Sequence, residues 1–372
     1  MVVLIGTLVS VSVLLTLTVS APDRPSHCKH PAIRKEWRAL SPQERTEWIA
    51  AVNCLATIPH DESLNPMVKP SDIVGVNASG SYYDDIVYIH MDMNHKIHFT
   101  GLFLPWHRWY VQMYENALKD KCGYKGTSPY WNWASGKHIS SPLLNSSNVK
   151  MSTIFDPDPK SGLGGWGLPS QDVHVQDGGF GVYTTFRLSY PSYHPLRRNF
   201  TIQPFVGLPL QFFPDQELLA NSSFTPEVVQ DLVYGYVGDF KGFQTSFESF
   251  TGAHGSVHLI LGGDLGGICP SDSTVCQPGP TFSANEPIFW LHHAMVDKVW
   301  YDWQNANELN QRAFEGGSVQ MIDNVTVYKK YPNGGPPNLH MDSVTTGEGI
   351  FDDFIIRDII STTDGILCYS YE

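Results

Sequence analysis

The chain has 372 residues, 42% of them apolar, and a formal net charge of −13. That length allows a large buried core in one domain or two. An acidic balance of this size excludes a polyanion such as nucleic acid as a partner held by charge.

Residues 2–19 form an apolar run that ends in Ser20-Ala21, just ahead of the turn-prone Pro22-Asp23-Arg24. Small residues at such an edge read as a secretory signal over residues 1–21. The run is short for a membrane span and carries Ser and Thr throughout, so no membrane association is expected once it is removed. Acceptor sequons at Asn77, Asn145, Asn199, Asn221 and Asn324 fit a secreted chain. Nothing forces a second domain, and residues 22–372 are expected to form one.

Six cysteines, Cys28, Cys54, Cys122, Cys269, Cys276 and Cys368, would pair in an oxidising compartment. Cys269 and Cys276 stand close enough for a local loop. The other four allow three pairings; we expect Cys54 with Cys122 and Cys28 with Cys368, which ties the chain ends together, although spacing alone does not fix it. No Cys-x2-Cys spacing points to a thiolate metal site.

Ser41-Pro42-Gln43-Glu44 carries the start signals of a helix running through Trp48, Ile49 and Val52. Tyr110, Met113, Tyr114, Ala117 and Leu118 form one apolar stripe, which predicts a helix over Trp109 to Leu118. Residues 134–240 are dense in Gly, Pro, Ser and Asp and read as a long functional loop system. Helical patterns return at Pro226–Val233, Phe243–Phe250 and Pro287–Asn307. Short β-rich runs follow at Val325–Tyr328 and Phe351–Ile356, separated by Asn333-Gly-Gly-Pro-Pro.

Two groups of histidines stand out: His90-x7-His98-x8-His107, and His254-x3-His258 with the later pair His292-His293. Six imidazoles arranged as three plus three can hold two ions side by side, and imidazole suits copper, zinc, iron and nickel. On a helix, His254 and His258 project from one face. His107 should sit at the start of the helix near Trp109, so His90 and His98 join it only if the chain folds back around Thr100-Gly101. His95 is an alternative to His90 by spacing. His27, His30, His60, His138, His174, His194 and His340 share no ligand spacing and read as ordinary core or surface residues.

The neighbouring segments carry a resemblance. His98-Phe-Thr-Gly-Leu-Phe-Leu-Pro-Trp-His107-Arg-Trp-Tyr, Pro129-Tyr-Trp-Asn-Trp and Asn285-Glu-Pro-Ile-Phe-Trp-Leu-His-His293-Ala-Met-Val-Asp297-Lys closely resemble the tyrosinase and catechol oxidase family of type 3 copper proteins. The likeness spans about residues 28–305, and the arrangement around Cys28, Cys54 and Cys122 is similar to the short secreted fungal branch. The expected architecture is mainly α, with a central four-helix bundle over about 80–305 holding two copper ions, a few short strands, and long loops stapled by disulfides.

The resemblance implies that His90, His98 and His107 hold copper A and that His254, His258 and His293 hold copper B, with His292 a neighbour. It places Phe289 as an aromatic packing over a copper B histidine and Asp297 as a buried carboxylate. Backbone carbonyls and Asp297 are the candidates for orienting the imidazoles. Lys298 replaces a usual arginine, and Lys96 stands where many relatives have a cysteine crosslinked to the second copper A histidine. Relatives that hydroxylate monophenols often carry asparagine after the first copper B histidine, helping a glutamate to hold a water; here that residue is Gly255. Glu248 is the candidate water-holding glutamate, against the plainer reading of a helix-surface charge. The long stretch from His258 to His293 should shape the entrance.

The implied activity is oxidation of o-diphenols to o-quinones with O2 as co-substrate, monophenol hydroxylation being left open and Gly255 tilting against it. A tailoring oxidase for one phenolic metabolite is the alternative. A haemocyanin-type O2 carrier would use the same ligands behind a blocked entrance, but no long C-terminal shielding domain is expected here. A dinuclear hydrolase fits poorly, because no carboxylate joins the ligand set. The expected partner is a small phenol, and the expected state a monomer or small homo-oligomer.

Overall fold

The computed structural model describes residues 28–134 and 147–372. The expected signal segment, His27, His138 and Asn145 lie outside the described residues. Among the described residues no helix is long and apolar enough to cross a membrane.

The first long helices open on capping boxes, which satisfy the free N–H groups of a first turn. Ser41 and Glu44 cap α1 (Pro42–Leu55), as the sequence indicates. Ser81 and Asp84 do the same for α2 (Tyr82–Ile97). Periodicity does not reveal α2, because every residue from Tyr82 to Asn94 is buried and no polar stripe marks an outer face. The next helix, α3, runs Phe103–Cys122 and stops at Gly123, whose left-handed φ of 69° lets its N–H reach the Leu118 and Lys119 carbonyls. It begins at Phe103, well before Trp109, so His107 lies within it.

The stretch that follows is irregular, with α4 (Ser147–Lys150) and isolated 3-10 turns such as Thr153–Phe155 and Gly178–Phe180. Buried cations replace secondary structure there. The Arg198 guanidinium pairs with Glu286 at 2.8 Å and also donates to the Leu163, Gly164 and Gly165 carbonyls, satisfying backbone that no ladder serves. The expected helices are then α5 (Pro226–Gly235), α6 (Phe240–Glu248) and, after α7 (Ala253–Leu261), which carries His254 and His258, α8 (Ile288–Ala306). Val325–Tyr328 is not a strand. The Asn324 side chain accepts from the Thr326 and Val327 N–H groups and starts α9 (Val325–Lys330), a local cap outweighing β-branched propensity. A single turn, α10 (Ile356–Ile359), follows near the end.

The strands are short. Ala32–Arg34 (β1) pairs in parallel with the last, Tyr369–Tyr371 (β6). Gly317–Val319 (β2) with Gly335–Asn338 (β3), and Val344–Thr345 (β4) with Phe354–Ile355 (β5), form antiparallel pairs. Disulfides join Cys28 to Cys368, Cys54 to Cys122 and Cys269 to Cys276, the pairing expected.

Helices α2, α3, α7 and α8 supply all the clustered histidines but His98, from a core rich in buried tryptophan, including Trp106, Trp109, Trp290 and Trp300. One buried carboxylate fastens this bundle to the chain ends. Asp297 on α8 accepts from Arg108 of α3 at 2.5 Å, Arg34 of β1 at 3.4 Å, and the Tyr369 and Tyr371 hydroxyls of β6 at 2.5 and 2.6 Å. Glu115 of α3 takes the other side of Arg34 at 3.2 Å. Each charge of this network therefore has a partner of opposite sign, the condition under which burial is tolerable.

Candidate metal centre

Helices bring the imidazoles together in two buried groups: His90, His98 and His107, and His254, His258, His292 and His293. Within each group one nitrogen per ring lies within 4.8 Å of the others. His90 projects from α2 and His107 from α3, while His98 caps the end of α2 in an extended conformation (φ −120°, ψ 138°). The chain does fold back at Thr100-Gly101. The groups face each other: His107 and His293 stack at 4.3 Å between ring centres and 14°, and His98 lies 6.1 Å from His254. His95 is outside this assembly; its ring is half exposed and 3.6 Å from Asp72.

Hydrogen bonds fix the tautomers. Nδ1 of His90, His98, His107 and His258 lies 2.8, 3.2, 2.8 and 2.9 Å from the carbonyls of Thr281, Asn94, Phe103 and Leu265. A carbonyl only accepts, so each Nδ1 carries the proton and each Nε2 presents a bare lone pair. Burial holds these rings neutral, pushing His90 down to about 3 and His258 to about 4 although the carbonyl bonds partly oppose it. Nε2 of His90, His107, His254 and His292 is buried with no hydrogen-bond partner among the described residues. Lone pairs converging without donors are costly in a protein interior unless a cation takes them. Neutral imidazole suits copper, and the two groups fit a dinuclear copper site.

The second group contains one imidazole more than a three-ligand site needs. Trp133 Nε1 lies 3.2 Å from His292 Nδ1. An indole N–H only donates, so His292 accepts at Nδ1 and keeps its proton on Nε2, leaving that nitrogen no lone pair for a metal. His293 Nε2, in contrast, lies 3.3 Å from His258 Nε2. The Pro129-Tyr-Trp-Asn-Trp motif contained the signal for this contact, but only the fold puts Trp133 beside α8.

Phe289 is fully buried and packs 4.1 Å from His293 and 5.1 Å from His90, between the two groups. The candidacy of Asp297 as an imidazole acceptor fails: its partners are Arg34, Arg108, Tyr369 and Tyr371, and backbone carbonyls do the orienting instead. Lys298 turns to Asp302 at 2.7 Å. Glu248 is not a surface charge. It is buried, accepts from the Phe99 N–H at 2.5 Å and from Gln244 Nε2 at 2.9 Å, and burial pushes its carboxyl well above the usual range against those two bonds. A Cβ added to Gly255 would lie 3.2 Å from the Phe250 carbonyl oxygen, so a side chain there requires that turn to give slightly. Gln320, which periodicity does not single out, donates to the His98 carbonyl at 3.0 Å.

The profile of the common central domain of tyrosinase matches residues 80–306. A tyrosinase-like protein from Diaporthe leptostromiformis, phomQ1, is 30% identical, the match covering 97% of this chain and 82% of the relative. The N-acetyl-6-hydroxytryptophan oxidase of Emericella nidulans is 25% identical over 96% of both chains. Among solved structures, a polyphenol oxidase variant from Thermothelomyces thermophila superposes with a TM-score of 0.63 at 25% identity, covering 92% of this chain and 89% of that one.

Proposed function

Because the chain belongs to the tyrosinase family of copper-dependent oxidoreductases that act on small phenols, we propose that it oxidises o-diphenols to o-quinones with O2. Copper A is assigned to His90, His98 and His107, and copper B to His254, His258 and His293. The observation that carries this reading is the convergence of buried imidazoles, four of which (His90, His98, His107 and His258) commit Nδ1 to a carbonyl and leave Nε2 for a metal. Bound there, two copper ions supply paired one-electron chemistry that moves electrons from a phenol to O2, which closed-shell zinc does not offer.

The chain's own residues hold and expose the site. His98, His254 and His258 keep 4 to 6% of their surface exposed, against at most 1% for His90, His107 and His293, so a phenol approaches along the first three. Phe289 wedges between the clusters and fixes the rings behind that edge. Gly255 offers no side chain to hold a water beside His254, which favours diphenol oxidation over monophenol hydroxylation. Export is part of the same reading, supported by the apolar N-terminal run, the sequons and three disulfides.

Oxygen uptake by the copper-loaded protein tests this, with a simple catechol and its matching monophenol run in parallel. Uptake with catechol alone is the expected result; prompt uptake with both makes the protein a monophenol hydroxylase as well and removes the Gly255 argument. A second reading, a tailoring oxidase for one phenolic metabolite, gains from the relative named for N-acetyl-6-hydroxytryptophan. It predicts slow turnover of simple catechols and fast turnover of a larger hydroxylated aromatic.

A further inference from the structure

Of the seven clustered imidazoles, His98 alone stands outside a helix, and no cysteine at position 96 is available to tie it covalently. The residue after it, Phe99, has a left-handed φ of 53°, a conformation that a bulky side chain keeps only when its surroundings hold it there. Those surroundings are a set of side chains aimed at the backbone of the turn. On one side, α6 presents Glu248, whose Oε1 accepts the Phe99 N–H at 2.5 Å, and Gln244, whose Nε2 donates both to Glu248 at 2.9 Å and to the Thr100 carbonyl at 2.7 Å. On the other, Gln320 donates to the His98 carbonyl at 3.0 Å and Gly101 N–H reaches the Gly317 carbonyl at 2.9 Å. A Cβ on Gly101 would lie 2.8 Å from Gly316 Cα, so the turn and the C-terminal segment touch backbone to backbone. The Phe99 ring stacks on Phe250 at 4.7 Å and meets Tyr328 at 5.7 Å.

We propose that Glu248, with Gln244 and Gln320, forms a clamp that holds the His98 turn in its metal-binding conformation, making Glu248 a positioning residue for copper A although it lies on the copper B side of the chain. Gln320 and Gly317 lie beyond residue 306, where the match to the central domain ends, so the C-terminal segment contributes directly to the first metal site. The inference rests on the two-copper reading above. Its physical content is pre-organisation: without the clamp the turn relaxes out of the left-handed conformation, and the His98 ring must be ordered at the moment of metal binding.

The test is copper retained per chain as a competing chelator is titrated into the full-length, copper-loaded protein and its variants. Glu248→Ala should release one copper at about tenfold lower chelator, with the other unmoved, the low end of what outer partners of ligands contribute. Glu248→Gln keeps an acceptor oxygen for the Phe99 N–H and should stay within about threefold of the parent, and Gln320→Ala should loosen the same copper by a few fold. In a His98→Ala background, Glu248→Ala should change nothing further, because the copper it protects is already weakened. The clamp is refuted if Glu248→Ala retains both coppers like the parent, loosens both equally, or is matched by Glu248→Gln. Should Glu248→Ala not fold, Gln320→Ala decides alone, acting from the opposite side on a neutral contact. A parent protein that binds no copper pair sinks the functional reading itself, a result distinct from any of these.

Discussion

The two halves of the metal centre are built differently. His254, His258 and His293 ride on α7 and α8, and the spacing of residues on α7 sets the separation of the first two rings. In the first half, His90 and His107 also sit on helices, but His98 occupies a turn whose shape comes from α6 on one side and residues 316–320 on the other. Where secondary structure places a ligand, three or four residues of sequence encode it. Where tertiary hydrogen bonds place it, the information is spread over more than two hundred residues, from Lys96 to Gln320.

The largest effect should come from the helical half. His258→Ala should lose one copper per chain and more than about 100-fold in oxygen uptake, since even outer partners of ligands account for 10- to 100-fold. Full copper stoichiometry and turnover in that variant would contradict the ligand assignment. Next is the carboxylate that serves both halves: Asp297 binds Arg108, beside His107, from a point one turn beyond His293. Asp297→Ala leaves Arg34 and Arg108 buried without it and should cost about 3 to 5 kcal/mol in denaturant unfolding. Both coppers should loosen together, in contrast to a change confined to one half.

A third variant touches only the first half. Glu348 is buried against Asp92 of α2, and both carboxylates accept the Met67 N–H. Burial, and then the neighbouring Asp92, push Glu348 up to about 9 from its ordinary 4.5. A group whose folded pKa is raised favours the fold fully below its unfolded value and loses that contribution as pH rises through its folded value. Resistance to urea should therefore fall between about pH 5 and 9, and Glu348→Gln should flatten that slope; an unchanged slope in the variant would show that Glu348 is not protonated in the fold. The smallest effect is expected in the second half, from Trp133→Phe, which removes the donor to His292 Nδ1. Its cost should be about 1 kcal/mol of stability with copper content unchanged. Loss of copper B instead would mean that His292, freed to shift its proton, competes with His293.

Much of the centre was legible without coordinates. The two histidine groups and the cysteine pairing match what the fold displays, and Phe289 lies 4.1 Å from His293. The misses have identifiable causes. Helix α2 escaped because a helix buried on every side has no periodic stripe, and Val325–Tyr328 read as a strand because the cap at Asn324 is worth more locally than β-branched propensity. Asp297 was recognisable as important but not as the partner of two arginines and two tyrosines, three of which lie near the chain ends.

The sequence by itself determined which chemistry is available: imidazoles in two groups, no carboxylate among them, glycine at position 255 and lysine at position 96. Those are properties of residue type and local spacing, which the covalent chain carries directly. Only the tertiary structure decided which nitrogen of His90, His98, His107 and His258 is free, that His292 is engaged by Trp133, and that Glu248 and Gln320 bond to the turn bearing His98. The physical reason is that a tautomer or a backbone conformation is set by the group at the other end of a hydrogen bond, and here those groups are mostly carbonyls and amides, which every residue possesses and no sequence pattern marks.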